Sequence, residues 1–173
     1  MAWGMPLATF SFVHVVLSLV GIGAGFVVLS GLLSGRERTG WTAVFLVTTV
    51  ATSVTGFGFP VDHLLPSHVV GVVSLVVLAV AILARYGRRL SGAWRPIYVI
   101  CAAVALYLNV FVGVVQAFLK VSALHALAPQ QTELPFLVAQ LVVLAMFIVL
   151  AVLAVLAAQR SRQESSTHVS ARL

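Results

Sequence analysis

Acidic side chains are almost missing from this chain. Four of its 173 residues are Asp or Glu, with Asp62 the single aspartate, and charged residues of both signs make up only 8%. A water-soluble domain carries roughly 25%. The surface of a soluble fold cannot be built from this composition, so lipid is the solvent expected for most side chains. The same scarcity argues against a hydrolase that works with two carboxylates. Cysteine is nearly absent as well: Cys101 alone cannot close an internal disulfide, and no Cys-x-x-Cys is present for metal or haem attachment. Cys101 lies in an apolar run and reads as a small packing hydrophobe. A basic region is lacking before Phe12 and no cleavage site follows, so the first apolar segment is expected to be retained rather than removed as a signal peptide. The net charge of +6 does not point to nucleic acid, because the basic residues sit in short clusters between apolar runs, where orientation in a membrane accounts for them.

What the chain has in abundance is hydrocarbon: 61% of its residues are hydrophobic. They fall into five runs, 7–34, 41–59, 66–86, 94–120 and 135–158, each close to the roughly 20 helical residues that cross a bilayer core of about 30 Å. Gly35 is placed to cap the first run, and Pro60 to end the second. Valine is common in these runs and favours strands in water, but their length and their lack of two-residue alternation exclude barrel strands. The expectation is an all-α, single-domain membrane helix bundle. It has five transmembrane helices over residues 1–158 and a polar tail over 159–173, rich in Ser, Arg and Gln, that is expected to be disordered. With five crossings, Arg36, Arg38, Arg85, Arg88, Arg89, Arg95, Arg160, Arg162 and Arg172 all share one side, and only Lys120 falls on the other. Positive residues favour the cytoplasm, which places the N-terminus outside and the C-terminus inside. Trp41, Tyr86 and Trp94 then mark the inner boundary. Four crossings would lose this asymmetry.

Four histidines collect on the outer side of that arrangement: His14, His63, His68 and His125. Counting back from Arg36 and Arg88, His14 and His68 each lie roughly 30 Å from the inner boundary, at one shared level. Neutral imidazoles there are candidate ligands for a haem iron or a divalent metal, and Asp62 beside His63 would add a carboxylate. The plainer reading is that each imidazole bonds a neighbouring carbonyl or hydroxyl. On the fourth run, Asn109, Gly113, Gln116 and Lys120 form the most polar stripe of the chain, and Gln140 on the fifth answers it. The stripe lines either a polar path or an interhelical hydrogen-bonded seam. Gly21 and Gly25 form a Gly-x-x-x-Gly pair on the face of Ser11, His14 and Ser18, while Gly71 lies between Ser67 and Ser74 on the third run. With Gly113 these are the glycines expected to let helices approach. The run Gly21-Ile22-Gly23-Ala24-Gly25 imitates a dinucleotide fingerprint, but Phe26 takes the sixth position and no strand precedes it. The hydroxyls between Thr42 and Thr55 lack a His or Asp partner at their depth, so nucleophilic catalysis has no support.

The stretches HVVLSLVGI (14–22), TTVATSVTGF (48–57), SHVVGVVSL (67–75) and ALAPQQTELPFLVAQ (126–140) together resemble an uncharacterised family of small multi-pass bacterial inner-membrane proteins. The resemblance covers most of the chain and implies that location. It carries no activity, cofactor or catalytic residue. Three functional classes stand beside each other: a structural or accessory membrane subunit, a haem- or metal-binding electron-transfer module using the outer histidines, and a small transporter or proton path along the Asn109 stripe. The expected partners are the lipid bilayer and either other membrane proteins or a second copy of the chain, with no nucleic acid.

Overall fold

A computed structural model describes residues 3–59 and 66–170 of the chain, with Pro66 and residues 161–170 described by backbone alone. The described residues are helical almost throughout and contain no strand. The elements are α1 (Leu7–Leu33), α2 (Thr39–Gly56), α3 (Pro66–Ile82), α4 (Trp94–Lys120), the short α5 (Ser122–Leu127) and α6 (Leu134–Ser170). A single π-helical turn, Leu83–Gly87, prolongs α3.

Four helices, α1, α3, α4 and α6, are long and apolar enough to cross a membrane. The second of the five expected crossings, α2, is not among them. Its 18 residues reach about 27 Å. Seven of those residues are Thr or Ser: Thr39, Thr42, Thr48, Thr49, Thr52, Ser53 and Thr55. Several of these hydroxyls are satisfied within the helix: Thr42 donates to Arg38 O, Thr48 to Val44 O and Thr55 to Ala51 O, each four residues back. At the other end of the chain, α6 remains helical beyond Ala158 and through the polar stretch, where Gln, Arg and Glu support helix and no Gly or Pro interrupts.

The connections are tight. α1 ends in a Schellman turn: Gly35 adopts φ +65°, the Arg36 amide donates to Gly31 O at 2.8 Å, and the Gly35 amide donates to Leu32 O at 3.3 Å. The chain then reverses within residues 34–38. Before α6, Gln131 Nε2 donates to Val115 O at 2.8 Å and ties the loop to α4. The Glu133 carboxylate accepts the backbone amides of Gln130 and Thr132 at 3.1 and 3.0 Å. Desolvation pushes this carboxylate's pKa up, but the loop amides together outweigh it and hold the pKa below the ordinary glutamate value.

The bundle is apolar outside and finely packed inside. Phe12, Leu19, Val47, Val69, Val76 and Val142 are all exposed, as are most residues of α6 up to Arg160. Contiguous apolar surface on this scale is foreign to soluble monomers. The interior instead gathers small and hydroxyl residues, among them Ala24, Thr49, Ser74, Ala81, Ala84, Ala102, Ala105 and Ala154. That is the composition expected where close backbone approach and dispersion, rather than expulsion of water, hold helices together. α1 and α2 run antiparallel along their whole length: His14 meets Thr55, Gly21 meets Thr48 and Thr49, Gly25 meets Phe45, and Gly31 meets Arg38. α4 closes this pair, bringing Leu106 against Gly25 and Asn109 against Gly21. α3 packs on α2 and α4, and α6 lies against α4 and α1.

Candidate functional site

At the end of the bundle that carries the histidines, α1 and α2 hold an aromatic cluster. Trp3 packs on Phe10, Phe10 on Phe59, and the His14 ring stands edge-on to Phe59 at 5.2 Å. His14 Nδ1 lies 2.8 Å from Thr55 Oγ1. The same Thr55 hydroxyl lies 2.7 Å from Ala51 O, so it links the imidazole to the α2 backbone. His68 packs instead at a tilt against Phe57, at 5.5 Å between ring centres, and His125 is exposed at the last turn of α5. The two histidines expected to share a level thus engage different residues, Thr55 in the last turn of α2 and Phe57 just beyond it. Asp62 and His63 lie outside the described residues. Among the described residues, no three His, Cys, Asp or Glu side chains gather as metal ligands.

At mid-depth the polar groups bond across helices. Asn109 Nδ2 donates to Thr49 Oγ1 at 3.3 Å, where α1 contributes only the bare backbone of Gly21. Ser53 and Ser74 join α2 to α3 at 3.0 Å, and Gln140 Nε2 donates to Phe111 O of α4 at 3.2 Å. Of the remaining stripe, Gln116 and Lys120 are exposed toward the end of α4, and Gly113 faces Ile22 at ordinary contact distance.

The opposite end carries the arginines and is built around a residue that the histidine reading passes over. Arg85 is 9% exposed. Its guanidinium lies 5.5 Å from the ring centre of Tyr98 and 5.8 Å from that of Tyr86. Nη1 faces Glu37 at 3.6 Å, and Nη2 reaches Thr39 Oγ1 at 3.4 Å. Nε has no partner among the described residues. An ion pair of that length is loose, and a buried guanidinium ordinarily uses more of its five donors. Arg85 sits in the π turn, an irregularity that recurs at functional sites. The backbone just beyond it is strained. Arg89 and Leu90 both take left-handed conformations, φ +49° and +55°, at a cost of roughly 1–2 kcal/mol each. They are pinned there by the Leu90 amide, which donates to Ala84 O at 3.0 Å. The result is an open recess of about 370 Å³ lined by Glu37, Arg85, Tyr86, Arg89, Leu90 and Arg95.

The sequence held a signal for Arg85. The stripe Ser67, Gly71, Ser74 continues by alternating steps of four and three through Leu78 and Ala81 to Arg85, and Ser74, Leu78, Ala81 and Arg85 are all buried. Reading Arg85 only as a marker of orientation conceals that it lies on the buried face. No family model, curated protein or solved structure matches the chain.

Proposed function

We propose that this chain is a five-span integral protein of the bacterial inner membrane, N-terminus outside and C-terminus in the cytoplasm, acting as a structural or accessory membrane subunit. The observation that carries the reading is the end-to-end antiparallel pairing of α1 with α2. α1 is long and apolar enough to cross a bilayer. A helix that accompanies it from His14 to Gly31 traverses the same slab, and most of its hydroxyls are tolerable there because they bond to its own carbonyls or to neighbours, the buried Thr52 hydroxyl being without a partner among the described residues. Five crossings put the arginines of α1–α2, α3–α4 and α6 in one compartment, which the preference of Lys and Arg for the cytoplasm identifies. The resemblance of its sequence to small multi-pass bacterial proteins supports the inner membrane. An accessory role is supported by how the intramembrane polar groups are used. Asn109, Gln140, Ser53, Ser74 and His14 all bond to other helices and fix the bundle's geometry.

Reporter fusions at each end test the topology. An exported-phosphatase tag is expected to be active only at the N-terminus and a fluorescent protein only at the C-terminus. Both ends in one compartment overturn the reading. For the accessory role, extraction into native nanodiscs is expected to yield an assembly heavier than this chain alone, and a uniform population of the isolated chain counts against it.

A further inference from the structure

We propose that the arginine-lined recess is a binding site for a phosphate-bearing anion, held by Arg85 at its floor and by Arg89 and Arg95 at its rim. Three guanidiniums against the single carboxylate of Glu37 leave the lining with two positive charges in excess. Its volume of about 370 Å³ falls within the range of small-molecule sites. The floor is an arginine that is nine-tenths buried, whose Nη1 has only a loose 3.6 Å pair with Glu37 and whose Nε is unpartnered among the described residues. Glu37 is itself 46% exposed at its side chain, so it can swing into solvent and yield Arg85 to a better acceptor. A phosphate oxyanion is that acceptor, because guanidinium matches it in two-point geometry and is easily desolvated. The strained Arg89–Leu90 backbone and the π turn hold this rim in place, as expected when local strain is retained for binding.

The recess opens where the apolar spans end, the level at which lipid phosphates lie and at which basic pockets between helices take anionic headgroups. A lipid phosphodiester and a soluble phosphate compound present the same chemistry to these residues, and the test separates them. It goes beyond the accessory-subunit reading, and because it scores binding alone, its failure leaves the topology experiment untouched.

The full chain is purified in detergent. It is titrated in one arm with phosphatidylglycerol against phosphatidylcholine and in the other with inorganic phosphate, with binding read by native mass spectrometry. Arg85→Met and Arg95→Gln are expected to weaken phosphatidylglycerol binding about tenfold or more, the equivalent of one charge-assisted hydrogen bond. Arg88→Gln removes the same charge at the same end, but Arg88 stacks on Trp94 and does not line the recess, so lipid binding in that variant, read by mass spectrometry, is expected to stay within about twofold. Glu37→Gln is expected to tighten binding by removing the competing carboxylate. Arg95→Gln, at a half-buried rim position, keeps the test decisive if Arg85→Met fails to fold. Displacement of lipid by inorganic phosphate identifies a soluble ligand, and retention of lipid against it identifies a headgroup. Binding of neither anion overturns the proposal. So does equal loss in Arg88→Gln and the recess variants, which would mean diffuse charge attraction alone.

Discussion

Gly25 is the position at which the packing can be tested most sharply. A methyl group built there would stand 2.5 Å from Leu106 Cδ1 and 2.9 Å from Phe45 Cε2. Flexible side chains can yield to such a contact when there is space behind them, but Leu106 and Phe45 are each only 1% exposed and enclosed by α1, α2 and α4. Overpacking a closed interior costs about 1–3 kcal/mol. Against this, replacing glycine by alanine in a helix interior gains about 0.5–1 kcal/mol. The net expectation for Gly25→Ala, the difference of those two ranges, is a loss of up to about 2.5 kcal/mol. Gly23, two residues away on the same helix, has open space where the methyl would stand, with no atom within 4 Å, so Gly23→Ala should keep the helix gain without the clash. The two substitutions are chemically identical and differ only in the face they occupy. Reversible unfolding in mixed SDS micelles, followed by tryptophan fluorescence, should give them opposite signs. Gly21→Ala should fall between them, because its neighbours at 3.1–3.2 Å are the polar tips of Thr48, Thr49 and Asn109 rather than a ring. Equal stability of Gly25→Ala and Gly23→Ala would refute the three-helix junction.

Two further outcomes are expected. Asn109→Ala should cost about 0.6 kcal/mol and no more than about 1.7, the range for a single hydrogen bond between membrane helices. Its effect should be non-additive with Thr49→Val in a double-mutant cycle, and full additivity would show that the 3.3 Å bond contributes nothing. Glu133 sets a pH dependence at the head of α6. Its folded pKa is depressed, so the loop contacts are fully present above the unfolded value near about 4.3 and are lost as pH falls through the lower folded value. NMR resonances of the Gln130 and Thr132 amides should titrate with a midpoint below the ordinary glutamate range and stay flat in Glu133→Gln. A midpoint at or above the ordinary value would overturn the assignment.

How far the sequence can be read differs between fold and site. Long apolar runs and a positive-φ Gly35 follow from composition and local chemistry, so helix positions and the Schellman turn after α1 are accessible to one sequence. α2 is harder, because its Thr-rich, 18-residue segment owes its place to the groove it fills beside α1 rather than to its own apolarity. The candidate sites depend on pairing between helices, which residue spacing does not encode. His14 and His68 count to the same depth, yet rotation about each helix axis sends one to Thr55 and the other to Phe57. Arg85 is concealed for a different reason. Its charge carries a ready topological meaning, and only the continuation of the Ser67–Gly71–Ser74 stripe shows that it faces inward.

The fit between α1 and α2 also bears on how the protein is made. The two helices are neighbours in the chain, joined by five residues, and every contact between them is available once Gly56 has left the ribosome. α2 is the segment least able to partition into lipid unaided, and α1 is the one synthesised just before it. On the proposed five-span topology, the two are therefore expected to leave the translocon as a single hairpin, with α1 chaperoning the insertion of α2 before α3 emerges to cover its other side.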